Sequence, residues 1–81
     1  MVFLAITRAG YEAYRAHGVL SGALWIGAKV VSEEELSALR KSGVVVTNFN
    51  YTIEFHEAEV IAGAVETIKE HHPVETVWVE V

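Results

Sequence analysis

The stretch Ser-Glu-Glu-Glu-Leu-Ser-Ala-Leu-Arg-Lys-Ser-Gly-Val-Val-Val, residues 32–46, decides the fold. Ser32 and Glu35 have the S-x-x-E spacing of a capping box, in which each side chain accepts a backbone N–H of the other residue. Acidic residues open the segment and two basic residues close it, which suits the helix dipole. Gly43 then supplies the left-handed stop that commonly ends a helix. The pattern predicts a helix over residues 33–42, followed by a strand.

The same alternation of strand and helix patterns continues on both sides of this segment. Upstream, a short apolar run leads into a segment that Thr7 can cap, with two tyrosines spaced to share a helix face. Downstream, aliphatic residues between Val60 and Ile68 form one apolar stripe, and the last residues alternate in type. The predicted strands are 2–6, 23–31, 44–49 and 75–81, and the predicted helices are about 8–17, 33–42 and 56–71.

Two parts of this outline stay open at the level of sequence. The Gly27-Ala28 step either bends one strand or turns a tight hairpin within residues 23–31, which sets the number of strands. Residues 50–55 either extend the preceding strand or form a loop. The resulting order, β-α-β-(β)-α-β-α-β, predicts one α/β (or α+β) layered domain over residues 1–81, with a four- to five-stranded sheet and three helices.

Length and composition favour a small domain that associates with a partner. The 81 residues are too few for two ordinary domains, and 52% of them are hydrophobic. A domain of this size buries only about 60% of the surface that its unfolded chain exposes. Part of the apolar surface is therefore expected to stay exposed, and such a patch commonly marks an interface. We expect a homo-oligomer or a protein partner.

Charge and composition argue against several other classes of protein. The net charge is −5 and the six Lys and Arg residues are dispersed, whereas nucleic-acid-binding proteins usually carry a clustered basic patch. No apolar run approaches the roughly 20 residues of a membrane span, and the apolar start is too short for a signal peptide. The chain has no cysteine for disulfides or thiolate metal sites. We expect an acidic, cytoplasmic protein that binds neither nucleic acid nor membranes.

The turn between the first strand and the first helix is a candidate ligand site. Thr7, Arg8 and Gly10 lie at this turn, where free helix-start N–H groups can bind an anion and Arg8 can add charge. In open parallel α/β sheets, ligands bind at the carboxyl ends of the strands. The segment lacks the glycine spacing of phosphate-binding loops. This alternative predicts a small-molecule or anion-binding domain, or a minor enzyme.

A further alternative is a weak divalent-metal site. His56 with Glu59, roughly one helical turn apart, or His72 with Glu75, at the end of the last helix, could supply two ligands. His71 and His72 are neighbours, and neighbouring residues on a helix point about 100° apart, so they rarely bind one metal. Histidines at a helix end also suit the dipole without any ligand. We therefore predict no metal or cofactor for the principal function.

The final strand offers the candidate interface. Alternation places its valines toward a helix layer and Thr76, Trp78 and Glu80 on the opposite face. Polar neighbours indicate that this face is only partly covered, and tryptophan is enriched among residues that dominate binding energy. The alternative is that Trp78 belongs to the core.

Without Cys or Asp the common nucleophile arrangements are missing, and the sequence indicates no catalytic residues. The sequence therefore predicts a non-catalytic module that associates with itself or with a partner protein.

Overall fold

Strands and helices alternate along the whole described chain. The structure, a computed structural model, describes residues 1–16 and 22–80, without the side chain of Glu80. The prediction of an α/β domain with three helices is confirmed, and the sheet has four strands. The elements are β1 (Val2–Ala5), α1 (Arg8–Ala16), β2 (Ala23–Ile26), α2 (Glu33–Lys41), β3 (Val46–Asn48), α3 (Ala58–His71) and β4 (Val77–Glu80).

The sheet is parallel, with the strand order β3-β2-β1-β4. The first two crossovers each add a strand on the same side, and the third carries the chain back across the sheet to the far side of β1. This reversal puts α3 on the opposite face from α1 and α2, as expected when all crossovers share one hand. The result is an open, doubly wound sheet with β3 and β4 at its edges.

Two hydrophobic clusters, one on each face of the sheet, form the core. Strand β1 contributes to both, because its side chains alternate between the faces and all four residues are buried. Helices α1 and α2 cover a first cluster of Phe3, Ala5, Tyr11, Tyr14, Leu24, Ile26, Val30, Leu36, Leu39, Val44 and Val46. Helix α3 covers a second cluster of Val2, Leu4, Ile6, Trp25, Phe49, Ile53, Ala64 and Ile68.

The predicted capping box at the start of α2 is present. The Ser32 hydroxyl accepts the Glu35 N–H at 3.1 Å, and the Glu35 carboxylate accepts the Ser32 N–H at 3.0 Å. At the other end the helix stops at Lys41, one residue before the predicted end, and Gly43 has φ +90°. The local sequence therefore decides both ends of this helix.

Both alternatives for residues 23–31 were wrong. Strand β2 ends at Ile26, and the chain then turns instead of continuing the strand or forming a hairpin. The Gly27 carbonyl accepts the Val30 N–H at 3.4 Å, and Lys29 has φ +68°. The turn takes the chain off the sheet just before the α2 capping box, which explains why a longer strand cannot form here.

Residues 50–55 form a loop and do not extend β3. Strand β3 has only three residues, and the loop after it returns over the end of β2, where the Ala28 N–H donates to the Tyr51 carbonyl at 3.0 Å. Ile53 is buried and belongs to the second cluster. The predicted end of the first helix at residue 17 and the last residue of the final strand, Val81, lie outside the described residues.

Every helix within residues 1–16 and 22–80 falls short of the length or the apolar character that a transmembrane helix requires.

Two glycines should respond to alanine in opposite directions. At Gly43, φ +90° is strained for any side chain, so Gly43→Ala should lower the free energy of unfolding by about 1–2 kcal/mol. Gly63 lies on the exposed side of α3 with open space around it. Gly63→Ala should therefore raise the free energy of unfolding by about 0.5–1 kcal/mol. Urea denaturation followed by circular dichroism measures both, and a change of the same sign in the two variants would contradict the assignment.

Candidate functional site

The turn after β1 uses its polar groups to start α1. The Thr7 hydroxyl accepts the Gly10 N–H at 2.9 Å, and the Thr7 carbonyl accepts the Tyr11 N–H at 3.0 Å. Thr7 therefore caps α1, as its residue type favours. The structure does bring Thr7, Arg8 and Gly10 together, but the Gly10 N–H that an anion could use is already bonded within the chain.

Arg8 links the starts of the two helices that cover the first cluster. Its two terminal nitrogens donate to the two carboxylate oxygens of Glu35 at 2.8 Å each, and Nε donates to Glu12 at 3.0 Å. A further bond of 3.3 Å reaches the Val30 carbonyl, and the guanidinium lies 5.2 Å from the centre of the Tyr11 ring. Bidentate pairing of this kind fixes geometry as well as charge.

Glu35 is shared between this ion pair and the capping box. Its carboxylate accepts from the Arg8 side chain and from the Ser32 backbone, and these hydrogen bonds lower the pKa of Glu35 from about 4.5 to about 2. The same pairing raises the pKa of Arg8. An anion that bound Arg8 would have to displace Glu35, so the geometry supports a structural role for Arg8 more directly than a ligand-binding one.

Sequence reasoning missed the Arg8–Glu35 pair. The two residues are far apart along the chain, and each carries an ordinary local explanation as part of a helix start. The signal lies in topology: β1 and β2 are parallel neighbours, so the helices that follow them begin at the same edge of the sheet. The first residue of α1 and the first turn of α2 are thereby brought together.

One of the two histidine–glutamate pairs comes together. His72 Nδ1 lies 3.5 Å from a carboxylate oxygen of Glu75, at the end of α3. His71 is adjacent but directs Nδ1 to the Thr67 carbonyl at 3.0 Å, and both imidazole rings lie beside Trp25, at 5.5 and 6.2 Å between ring centres. The two histidines therefore share Trp25 as a neighbour but direct their Nδ1 atoms to different partners.

The other pair lies at the start of α3. The His56 ring stands edge-on to Phe55, with ring centres 5.6 Å apart, and Glu59 lies in the first turn of the helix. Within the described ranges, no three His or Glu side chains converge in the way that a metal ion requires.

The aromatic residues outside the first cluster divide between core and surface. Trp25 and Phe49 are buried in the second cluster with ring centres 5.3 Å apart, so they serve packing. Tyr51 lies beside Phe49 and is 41% exposed. Phe55, which the sequence did not single out, is 67% exposed in the same loop. The most exposed aromatic on a strand is Trp78, at 51%.

Strand β4 lies at one edge of the sheet and, among the described residues, pairs with β1 alone. Its register aligns Val77 with Val2 and Trp78 with Phe3. Val77 accordingly packs against the α3 cluster, and Trp78 lies on the α1 side of the sheet, as alternation predicts. Val79 is 38% exposed although it aligns with the buried Leu4. The β4 edge, meaning residues 77–80 on the side away from β1, thus combines exposed apolar side chains with an open strand.

Comparison of the chain with known protein families, with curated proteins and with solved structures gives no match. The architecture therefore defines the protein class by itself: a small, open, doubly wound α/β domain with an apolar edge strand.

Replacing Glu35 should change how stability responds to acid. Because folding lowers the pKa of Glu35 to about 2, the ionised carboxylate favours the folded state. This contribution is fully present above the ordinary pKa of about 4.5 and is lost as the pH falls toward 2. Glu35→Gln should therefore be less stable than the wild type at neutral pH and should lose less stability on acidification. Urea denaturation at a series of pH values measures this dependence.

Glu33→Gln is the matched control for this experiment. It removes the same charge from the same helix turn, and Glu33 is exposed. The control should show the same acid dependence of stability as the wild type between about pH 2 and pH 4.5, which are the pKa of Glu35 in the folded protein and its ordinary pKa. Equal flattening in both variants would show that overall charge, and not the Arg8–Glu35 pair, sets the response.

Proposed function

We propose that the protein is a non-catalytic, self-associating module in which the β4 edge of one copy binds the β4 edge of a second copy. The observation that carries the proposal is the half-exposed Trp78 on an edge strand that, within residues 1–16 and 22–80, pairs only with β1. Sequence and geometry support the same surface: the alternation of residues 75–81 favours a partly covered face, and the alignment of Trp78 with Phe3 is consistent with it.

The backbone of the edge strand β4 supports association. An edge strand presents a row of N–H and C=O groups to which another strand can add. Edges that stay free usually carry lysine, proline, a bulge or a covering segment. The sequence of β4 is Val-Trp-Val-Glu, so it holds neither lysine nor proline and only its last residue is charged.

The position of Trp78 gives the edge an apolar anchor. The neighbouring Phe3 is covered by the α1 residue Tyr14, with ring centres 5.2 Å apart in an edge-to-face arrangement. Trp78 lies one strand further out and keeps 51% of its surface exposed. Tryptophan combines a large apolar area with few rotatable bonds, which is why it commonly dominates the binding energy of an interface. A partner that covers the rest of the indole gains this energy.

The β4 edge of a second copy suits this edge better than the β3 edge of a second copy does. Two β4 strands related by a two-fold axis form a closed dimer, whereas β4 against β3 would give an open-ended chain of copies. Strand β3 is also shorter, and its Thr47 and Asn48 are exposed polar residues. An interface built on one short strand is at the small end of the range, so we expect micromolar affinity.

Trp78→Ala should weaken the dimer much more than it weakens the fold. We expect the dissociation constant to rise by about 30-fold or more, equivalent to about 2 kcal/mol. Sedimentation equilibrium over a concentration series that brackets the wild-type dissociation constant measures the change. Thermal unfolding at concentrations where the protein is monomeric should show only a small loss, because half of the indole is already exposed.

Phe55→Ala is the control for the loss of an exposed aromatic. Phe55 is 67% exposed and lies in the loop after β3, away from the β4 edge. The control should leave the dissociation constant unchanged. A wild-type protein that stays monomeric at about millimolar concentration, the weak limit of specific binding, would overturn the proposed function.

A further inference from the structure

The hydrogen bonds between β1 and β4 decide which backbone groups the β4 edge offers. The Val2 N–H donates to the Thr76 carbonyl at 2.9 Å, and Val2 aligns with Val77. In a parallel pair, alternate residues direct their backbone groups toward the same neighbour. Thr76, Trp78 and Glu80 therefore turn their N–H and C=O groups toward β1. Val77 and Val79 turn theirs outward, to the open edge.

We propose that two copies pair through antiparallel β4 strands with the two-fold axis at Trp78, an inference that rests on the proposed self-association. In this register Val77 of one copy faces Val79 of the other, on both sides of the axis. Directly opposed residues with outward backbone groups exchange two N–H···O bonds in an antiparallel pair. All outward groups of Val77 and Val79 in both copies are thereby bonded, and the two four-stranded sheets become one continuous sheet.

The same register brings the two Trp78 residues together. They form the non-hydrogen-bonded pair, in which the Cα atoms are about 4.5 Å apart and the side chains are closest. Directly opposed residues lie on the same face, so the two indoles meet on the α1 side of the sheet. Thr76 lies opposite Glu80, which keeps the two Glu80 residues from facing each other. Like charges directly opposed would destabilise the pair.

The two adjacent registers do not pair both Val77 and Val79 with residues of β4, and they place a polar residue opposite Trp78. An axis at Val77 aligns Trp78 with Thr76 and leaves Val79 opposite Glu75, which lies before the strand. An axis at Val79 aligns Trp78 with Glu80 and leaves Val77 opposite residue 81. Only the axis at Trp78 pairs both valines within β4 and gives each indole an apolar neighbour.

Disulfide trapping can test the register because the chain contains no cysteine. Two single variants, Thr76→Cys and Glu80→Cys, are prepared, each with Trp78 intact, and are mixed under mild oxidation. In the proposed register the two introduced thiols belong to a non-hydrogen-bonded pair with Cα atoms about 4.5 Å apart, within the range for a disulfide. Identical thiols lie about 13 Å apart across the axis, four residues along the strand, and are too distant.

The mixture should give at least about tenfold more disulfide-linked dimer than either variant alone, because only the mixed pair meets the distance requirement. Intact mass spectrometry identifies the linked species, since the two variants differ in mass. Thr47→Cys mixed with Glu80→Cys is the control, because Thr47 is exposed on the opposite edge strand β3. This mixture should give no more linked dimer than the single variants do.

Three results would overturn the register. Efficient linkage of Thr76→Cys with itself would place the axis elsewhere or make the strands parallel. Efficient linkage of the Thr47 control would indicate pairing of β4 with β3. A wild-type dimer without mixed linkage would reject the register and leave the self-association in place, whereas a monomeric wild type would reject both proposals.

Discussion

The fold depends on the burial of β1 from both sides. Its four residues are buried, and their side chains belong alternately to the two hydrophobic clusters on the two faces of the sheet. A parallel strand of this kind is stable only between two helix layers, because neither of its faces can meet water. The first two crossovers provide helices on one face alone. The chain must therefore run back with α3 on the other face, and this return is what places β4 at an edge beside β1.

That constraint explains which parts of the structure could be predicted from sequence. The capping box at Ser32 and Glu35 and the stop at Gly43 are decided within a few residues, so their local pattern is sufficient. The apolar run of β1 and the apolar stripe of α3 directly indicate which residues are buried. The sequence pattern did not predict the turn after Ile26. Aliphatic residues such as Val30 follow this turn and resemble a continued strand, although they pack in the first cluster without belonging to the sheet.

The candidate sites show the same limit. The ion pair between Arg8 and Glu35 depends on strand order, which no local pattern contains. The alternation of β4 predicts the face on which Trp78 lies but not how much of the indole stays exposed, because that depends on how α1 packs over the sheet. Local chemistry thus indicates which residues stand out, and topology decides whether the fold uses them internally or leaves them free for a partner. By that criterion Arg8 serves the fold, and Trp78 keeps about half of its surface exposed.

The pairing of β4 with β1 joins nearly opposite ends of the described chain, since Val2 aligns with Val77. Contacts of such long sequence separation carry a large loop-closure entropy and tend to form late in folding. As an edge strand with one neighbour among the described strands, β4 also has fewer contacts to hold it than the central strands, and segments of this kind commonly open first in the native state. A second copy that binds only the closed strand would suppress this local opening by mass action. The protection of β4 amides against hydrogen exchange would then depend on protein concentration, while that of β1 and β2 would follow global unfolding.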